Sequence, residues 1–469
     1  MFPGSRRLVA GALLSAALWA PGSYAQDVRV KEEVAKPAEQ TAAEKTAAEA
    51  AEESRRRQEA AGQEVTYEQV LADPDNIDLN YRFARSQVRR GDVKGAAATL
   101  ERILLIKPDL PMVRLFYGIV LYRLDDIVEA KRELSSVIAS NPADEIRSEA
   151  ETYLRLAEKR EKLTHVLGGL SFAWGYDTNR NASPATGQSL FFDTPIQLTG
   201  SSERRSDTSV LFIGNVSAHR DLGTQAGHEV FAGFTYYQAE QTLVKTLNLK
   251  AYSFNAGGVW KAGRLDLTPT LLFDHVQLAQ ATLLRNRGGS LRADYRLDVK
   301  NGLFIEAKDV YQNYFPTQEV PIATERTGIQ LDLSAGSRHF LNPTMLFGSV
   351  VGYTIKHAAS RFDAFNRYVA GINHTWLLGR GTFLTSSFIL NRDIYYALDS
   401  SISSSNRRDT LLRADATFGA PLSLAHKALD NLIGTVNYEY YQALSTIENY
   451  AFTDNKVNIM LTYRWDIAL

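Results

Sequence analysis

The chain of 469 residues carries 52 Lys and Arg residues against 53 Asp and Glu residues, and it contains no cysteine. The formal net charge of -1 means that the chain has no excess of positive charge with which to bind a polyanion, so no nucleic acid is expected as a partner. The absence of cysteine excludes disulfides, thiolate metal sites, a cysteine nucleophile and a lipidated cysteine. Beyond residue 25 no apolar run reaches the roughly 18 residues of a spanning helix.

The first 25 residues have the pattern of a signal peptide. Arg6-Arg7 precedes an apolar core over residues 8–19, and Ser23-Tyr24-Ala25 supplies a small-x-Ala cleavage site. A transmembrane anchor is the alternative, but the apolar stretch is short for a span. We therefore expect residues 1–25 to be cleaved after Ala25, with delivery of the mature chain to the periplasm of a Gram-negative bacterium.

Residues 26–63 consist almost entirely of Ala, Glu, Lys, Arg, Gln and Thr. A segment of this composition favours helix but lacks an apolar stripe with which to dock against another element. We interpret it as a charged linker that is disordered or loosely helical, with a short coiled coil that contacts a partner as the alternative.

Residues 64–162 contain a repeat with a fixed period of 34 residues, which is the signature of tetratricopeptide (TPR) repeats. Small residues stand where two helices approach, larger apolar residues fill the space between them, and proline follows each second helix. The signature positions are Ala84, Ala96, Leu100, Pro108, Gly118, Ala130, Leu134 and Pro142. The period predicts helices near 76–90, 93–106, 110–123 and 127–139, with a capping helix near 143–162.

A small helical solenoid of this kind presents a concave surface and carries no chemistry of its own. We expect the repeats to bind an extended peptide or another protein in the periplasm. The alternative is that they plug or brace the periplasmic mouth of the domain that follows.

Residues 163–469 read as a run of amphipathic strands, because alternation of apolar and polar residues replaces the helical period. The fold class predicted for the whole chain is an α + β membrane protein, a small TPR α-solenoid followed by a 14-stranded antiparallel transmembrane β-barrel in the outer membrane. The strands are predicted near 166–177, 207–219, 227–240, 249–260, 264–278, 288–299, 302–314, 327–339, 344–357, 366–378, 382–396, 409–420, 431–443 and 456–469.

The connections between these strands alternate in length. The links are counted from the first strand, so that the first link joins the first and second strands. Even-numbered links include tight turns such as Lys261-Ala262-Gly263, whereas odd-numbered links are longer, the longest being residues 178–206. Bacterial barrels have short periplasmic turns and long surface loops, and an even strand count returns both ends to the periplasm. Twelve or sixteen strands remain open alternatives. The inward face of the sixth strand is predicted to carry Arg292, Asp294, Arg296 and Asp298, which suits a hydrated pore or a wall held by ion pairs.

The last strand predicts how the barrel closes. Its apolar stripe is Val457, Ile459, Leu461, Tyr463, Trp465, Ile467 and Leu469. One face of this strand therefore meets lipid, and we expect the strand to pair with residues 166–177 and seal the barrel.

The segment that leaves the first strand is the sharpest local motif. Asp177, Asn179, Asn181 and Pro184 are favoured as turn-capping residues, since Asp and Asn bond to nearby backbone. Direct contact with a client protein is the alternative. The 178–206 loop could fold into the lumen as a gate, and its Phe191-Phe192 pair is expected to be buried in the pore, in the membrane interface or against a client.

The sequence contains no recognisable catalytic, metal or cofactor motif. The eight histidines are scattered without metal-ligand spacing, and no nucleophile elbow, phosphate-binding loop or His-Glu-x-x-His motif is present. We expect no cofactor and no enzymatic activity.

The repeat-then-barrel order, the Gly175 to Pro184 segment and the closing hairpin from Tyr438 to Trp465 together resemble the surface lipoprotein assembly modulators, over roughly residues 66–469. The resemblance implies periplasmic TPR repeats, a fourteen-stranded barrel and a role in moving lipoproteins or related secreted proteins to the cell surface. The last surface loop reads Ser445-Thr446-Ile447-Glu448-Asn449 where the family has a Ser-Asn pair, and the chain ends on Leu469 rather than on an aromatic residue.

The expected partners are a client lipoprotein or secreted protein, outer-membrane lipid, and other periplasmic or outer-membrane assembly factors. Two other functions stay open on the sequence. The first is a porin or exopolysaccharide-export barrel whose repeats dock a periplasmic partner, and the second is a soluble all-β adhesin.

Overall fold

The computed structural model describes residues 65–224 and 226–469. The predicted signal peptide, 1–25, and the predicted linker, 26–63, lie outside the described residues. The described chain divides between Leu163 and Thr164 into a helical unit and a strand unit.

Within the described ranges no helix has both the length and the apolar composition required to cross a bilayer.

Helices make up the first described unit. Their bounds are α1 Tyr67–Ala72, α2 Ile77–Arg89, α3 Val93–Ile106, α4 Pro111–Arg123, α5 Ile127–Ala139 and α6 Asp144–Glu161. The five helices predicted from the 34-residue period agree with α2 to α6 to within one residue at each end. The short helix α1 was not predicted; Thr66 caps it, accepting from the backbone N–H of Gln69.

Polar caps and left-handed residues set the ends of the helices. Asn76, Asp92 and Asp126 each accept a hydrogen bond from a backbone N–H in the first turn of α2, α3 and α5. The turns inside each helix pair contain Gly91 at φ +85° and Asp125 at φ +68°. Gly and Asp tolerate this conformation better than branched residues do, which explains why the turns fall there.

The TPR signature residues form the core of the helical unit. Ala84, Ala96 and Leu100 are fully buried together in one cluster, and Leu134 is fully buried in the next. At Gly118 an added Cβ would lie 2.8 Å from the Leu134 side chain, so only glycine allows α4 and α5 this approach. Three further members of the signature lie where the pattern requires them: Ala130 is fully buried, and Pro108 and Pro142 follow the ends of α3 and α5.

This packing gives a stability prediction with a matched control on one helix. Leu100 is fully buried and Leu105 is 79% exposed, and both lie on α3. Leu100→Ala should lower the free energy of unfolding of the helical unit by about 2–5 kcal/mol, because it leaves a cavity. Leu105→Ala should leave that free energy nearly unchanged. Urea unfolding of the full chain followed by circular dichroism at the helical band measures both, and equal effects would contradict the predicted core.

The second unit is a closed barrel of fourteen antiparallel strands. The strands are β1 Thr164–Asp177, β4 Asp207–Asp221, β5 Glu229–Gln241, β6 Leu249–Ala262, β7 Leu265–Leu278, β8 Ala281–Arg296, β9 Asn301–Tyr314, β10 Gly328–Asn342, β11 Met345–Lys356, β12 Phe365–Gly379, β13 Thr382–Tyr395, β14 Arg408–Pro421, β15 Leu432–Ser445 and β16 Phe452–Ala468. A separate hairpin, β2 Gln188–Phe191 and β3 Thr194–Gln197, lies in the connection between β1 and β4. The predicted count of fourteen barrel strands is confirmed.

Alternation along each strand places apolar side chains outside. On β1 the residues Phe172 and Trp174 are 58% and 47% exposed, whereas Ser171 and Ala173, which alternate with them, are buried. A closed sheet with an apolar exterior satisfies its backbone internally and presents a lipid-compatible surface. This is the architecture of an outer-membrane barrel, and it excludes the soluble adhesin.

The closing strand pairs as the sequence predicts. β16 bonds to β1 in register from His165 with Ala468 to Asp177 with Lys456. Tyr463 and Trp465 stand on its outer face with ring centroids 5.9 Å apart. Leu469 lies one residue beyond β16, and its backbone N–H donates to Thr164 across the seam at 2.8 Å.

The sixth barrel strand corrects the sequence prediction. It spans 281–296 rather than 288–299, because Ala279 and Gln280 make a tight turn at positive φ without the usual glycine or asparagine. The fifth link is therefore short, unlike the other odd-numbered links. Asp298 lies in the next turn, not on the inner wall, and it accepts from the backbone N–H of Lys300 at 2.7 Å. The last strand also begins earlier than predicted, at Phe452.

Candidate functional site

The first surface loop, residues 178–206 and called L1 below, enters the lumen at its base. Ala182 is buried against Ala443 and Phe452, with Leu411 and Tyr441 beside them. The strand register places these four partners on one face of β14, β15 and β16, opposite the exposed outer residues of the same strands. L1 therefore packs on the inner wall of the barrel.

Asn179 holds the base of L1 by side chain and backbone. Its backbone N–H donates to carboxylate oxygens of Asp177 at 2.9 Å and of Asp454 at 3.0 Å. Its amide side chain donates to the carbonyls of Ser183 at 2.9 Å and Thr453 at 3.1 Å. These are the turn-capping contacts predicted for this motif, and two of them cross from L1 to the closing strand.

Asn181 joins the two arms of L1. Its side-chain amide donates to the carbonyl of Glu203 at 2.6 Å, and its side-chain oxygen accepts from the backbone N–H of Arg205 at 3.0 Å. The carbonyl of Pro184 accepts from the N–H of Gly187 at 3.1 Å. All four predicted motif residues thus have a structural role in shaping the base of the loop.

The β2–β3 hairpin docks on two other surface loops, L6 (396–407) and L7 (446–451). The backbone N–H groups of Phe192 and Asp193 donate to Ser401 and Ile402 of L6 at 3.1 and 3.0 Å. Asn449 of L7 makes a two-way contact with the backbone of Leu190, at 2.6 and 3.0 Å. L1 is therefore tied across the mouth by polar contacts.

The two rings of the Phe191-Phe192 pair differ in their burial. Phe191 is half-buried, but Phe192 is 61% exposed, and the two rings meet edge to face at 4.6 Å. Phe192 occupies the hairpin turn at positive φ, so its backbone docks on L6 while its ring points away. The sequence showed two adjacent apolar residues, but it did not show the hairpin turn that leaves Phe191 half-buried and Phe192 exposed.

Ion pairs cover the inner wall beneath L1. Arg367 makes a two-pronged contact with Asp393 at 2.6 and 2.7 Å. The Arg407 guanidinium bonds Asp409 at 2.8 Å and lies over the Tyr450 ring. A further set links three strands and consists of Arg413, Glu439, Lys456 and Asp454. Ion pairs therefore hold this wall together. The local sequence pattern did not single out pairs such as Arg367 with Asp393 and Arg413 with Glu439, because the two partners of each pair lie on different strands.

Ion pairs also form on β8, the strand that the sequence predicted to carry inward charges of both signs. Arg292 bonds Asp294 at 2.8 Å and lies 3.7 Å from Glu306 on the neighbouring strand. Arg296 reaches Asp266 at 3.5 Å near the turn end of β8. The inward charges of this wall are paired with one another.

The helical unit presents a second candidate surface, built from aromatic pairs. Tyr81 and Phe116 meet at 5.7 Å, and Tyr122 and Tyr153 meet at 6.0 Å, on the first helices of successive pairs. Arg160 lies 5.2 Å over the Tyr122 ring. Burial raises the pKa of Tyr81 and of Tyr153, so both phenols stay neutral at physiological pH.

Exposed arginines border these aromatic pairs. Arg85 lies one turn after Tyr81 on α2, and Arg123 lies next to Tyr122 on α4, and both side chains are exposed. Half-buried rings with exposed guanidinium groups nearby can pack apolar side chains and pair with carboxylates of a bound segment.

In residues 65–224 and 226–469 no group of three or more His, Asp or Glu residues is placed to hold a metal ion.

No protein-family model matches the chain. The DnaJ homolog subfamily C member 3 of Mus musculus is 32% identical over 94 residues, which is 20% of this chain and 19% of the relative. The chain thus spans about a fifth of the length of the curated relatives it matches. Among solved structures, the P58(IPK) TPR domain has 30% identity and a TM-score of 0.21, over 24% of this chain and 32% of that one. KdgM porin has 5% identity and a TM-score of 0.27, over 63% of this chain and 99% of that one.

The contact between L1 and L6 predicts a dependence on pH. Hydrogen bonds from Ser403 and Ser404 hold the pKa of the Asp193 carboxyl below its ordinary value. A lowered pKa in the folded state stabilises the contact above the ordinary pKa of about 4, and this stabilisation is lost as the pH falls through the lowered value. Hydrogen exchange of residues 188–197 should therefore speed up in Asp193→Asn at pH 7.

The difference between Asp193→Asn and the wild type should shrink in acid, once Asp193 itself is protonated. The exposed Glu203, in the same loop, gives the control Glu203→Gln, which should match the wild type at both pH values. An Asp193→Asn difference that persists undiminished in acid would contradict a role for the carboxylate charge.

Release of L1 should also change conduction through the barrel. Asp193→Ala combined with Asn449→Ala removes bonds worth about 1 kcal/mol each from the docked state. Single-channel recording of this double variant should show larger or longer openings than the wild type. Thr199→Ala, at an exposed position of L1, is the control. Identical traces for all three proteins would mean that L1 does not limit passage.

Proposed function

We propose that this outer-membrane protein helps client proteins reach the cell surface, with the helical repeats holding the client in the periplasm and the barrel organising its passage. One observation carries the proposal: the same chain has two features that export would need. The helical unit has a surface of aromatic rings and arginines that suits a peptide, and at the mouth of the barrel polar contacts join L1 to L6 and L7. The clients are surface lipoproteins or related secreted proteins, the class implied by the family resemblance stated above.

The topology supports a periplasmic position for the repeats. β1 begins and β16 ends at one rim, where His165 lies opposite Ala468, and four of the links at that rim have two to four residues. Short turns mark the periplasmic rim of bacterial barrels. A signal peptide at residues 1–25 would deliver the chain there. Periplasmic and outer-membrane assembly factors are the further partners of this proposal, which assigns the protein no catalytic activity.

The contacts of L1 at the barrel mouth support a route for the client that opens when L1 is released and closes when L1 docks again. L1 is joined to L6 and L7 by hydrogen bonds, and the chain has no cysteine that could lock it. Bonds worth about 1 kcal/mol each can be exchanged for contacts with a passing chain.

The test co-expresses the protein with a lipoprotein encoded beside it and measures protease accessibility of that lipoprotein on intact cells. Surface exposure that depends on this chain supports the proposal. Deletion of residues 65–162 should reduce exposure while the barrel still migrates as a heat-modifiable band. No gain with any neighbouring lipoprotein or secreted protein would overturn it.

Charge reversal on the repeats makes the test residue-specific. Arg85→Glu with Arg123→Glu should lower client exposure about tenfold or more, because like charges would then face a client's carboxylates. Lys94→Glu, an exposed charge reversal on α3, should leave exposure unchanged. Heat-modifiable migration should be the same in all variants, which separates client binding from barrel assembly.

A porin or an exopolysaccharide-export barrel is the second candidate. The inner wall favours it to this extent: its charges have both signs, as in Arg413, Glu439 and Lys456, which suits a hydrated pore. Glycosyltransferase genes beside this one, or solute leakage and polysaccharide secretion without any protein client, would favour this function over export.

A further inference from the structure

The outer wall of the barrel bears a groove of about 590 Å³ that crosses β5 to β10. Its sides are apolar and consist of Val230, Trp260, Pro269, Leu271, Leu291 and Leu331. Leu271 is 70% exposed and Leu291 is 54% exposed, so these side chains stand out from the barrel rather than into the lumen. The groove therefore faces the membrane.

The floor of the groove is backbone with little side chain. Gly258 lies opposite Val230, Gly289 opposite Leu271, and Ala307 opposite Leu291 on the outward face. The ladder between β6 and β7 has no bridge where Gly258 meets Pro269, since proline has no N–H to donate. A surface of this shape lets another backbone or a bulky side chain come close.

Two opposite charges project from this same face. Asp309 lies in the middle of β9, opposite Gly289, and its side chain is exposed. Arg287 is exposed on β8, one outward position nearer the surface loops, and its guanidinium lies 5.0 Å over the Tyr311 ring. No described residue forms an ion pair with Asp309. A carboxylate that faces hydrocarbon is costly unless a cation reaches it.

We propose that this groove is the contact surface between two copies of the chain in the outer membrane. A twofold axis along the membrane normal, between β8 and β9, brings Arg287 of each copy towards Asp309 of the other. Such an isologous contact uses the same patch twice, and the two charges make the patch self-complementary. In this arrangement the small Ala307 on β9 receives Leu291 of the partner copy, which lies at the same height on β8.

A second copy explains the charges better than lipid does. The phosphates of lipid headgroups would meet Arg287 but repel Asp309, and acyl chains would leave Asp309 without a cation. An opposed copy satisfies both charges in one arrangement. The proposal is independent of the client-export function, since a dimer could serve export or solute passage.

The absence of cysteine allows a direct test in native membranes. Gly289→Cys should form a disulfide-linked dimer under mild oxidation, because Gly289 lies beside the proposed axis. Ile372→Cys, at an outward position on β12 that is also exposed, is the matched control and should remain monomeric. Heat-modifiable migration of both variants shows that each barrel has assembled. No crosslink at Gly289, or equal crosslinking at both positions, would overturn the proposal.

Charge exchange identifies the pair that holds the dimer. Arg287→Asp alone and Asp309→Arg alone should each weaken dimerisation about tenfold or more, because like charges would then oppose each other. The double variant Arg287→Asp with Asp309→Arg should restore it. Native mass spectrometry from detergent measures the dimer fraction. Monomers that carry lipid in the wild type, or a double variant no better than the single ones, would overturn the assignment.

Discussion

The bilayer core offers no water, so each backbone N–H and C=O at that depth needs a partner inside the protein. The seam between β1 and β16 supplies this partner for the two strands that would otherwise be edges, from His165 with Ala468 to Asp177 with Lys456. Closure makes the strand number even for an antiparallel barrel. It also brings the two ends of the barrel segment to one rim, and it puts L1 beside the last loop, L7.

The seam explains why the contacts of L1 fall where they do. β1 ends at Asp177, beside Lys456 and Asp454 of β16, so a residue just beyond β1 can bond to the closing strand without a long reach. Asn179 uses that proximity with both its backbone and its side chain. The base of L1 is thus an extension of the seam. Its tip depends instead on single residues of L6 and L7, such as Asn449.

Periodic features of the chain could be predicted, and contacts between distant residues could not. The alternation from Val457 to Leu469 is set by lipid on one side, so it located the closing strand, and the 34-residue period located Leu100 and Leu134 in the helical core. The turn at Ala279 and Gln280 has no distinctive residues, so the start of β8 was missed. Pairs such as Arg367 with Asp393 are defined by strand register, which becomes known only when the barrel is closed.

The inner wall of the barrel and the surface of the helical unit differ in how readily a client can reach their charged side chains. Arg413, Glu439 and Lys456 on the inner wall satisfy one another, so a client or solute would have to displace an existing ion pair to bind them. Arg85 and Arg123 of the helices are exposed, so a client can reach them without first breaking an ion pair of the inner wall. On the proposed function, selection of the client therefore belongs to the helical unit, and the ion pairs of the barrel serve to keep the wall rigid while a chain passes.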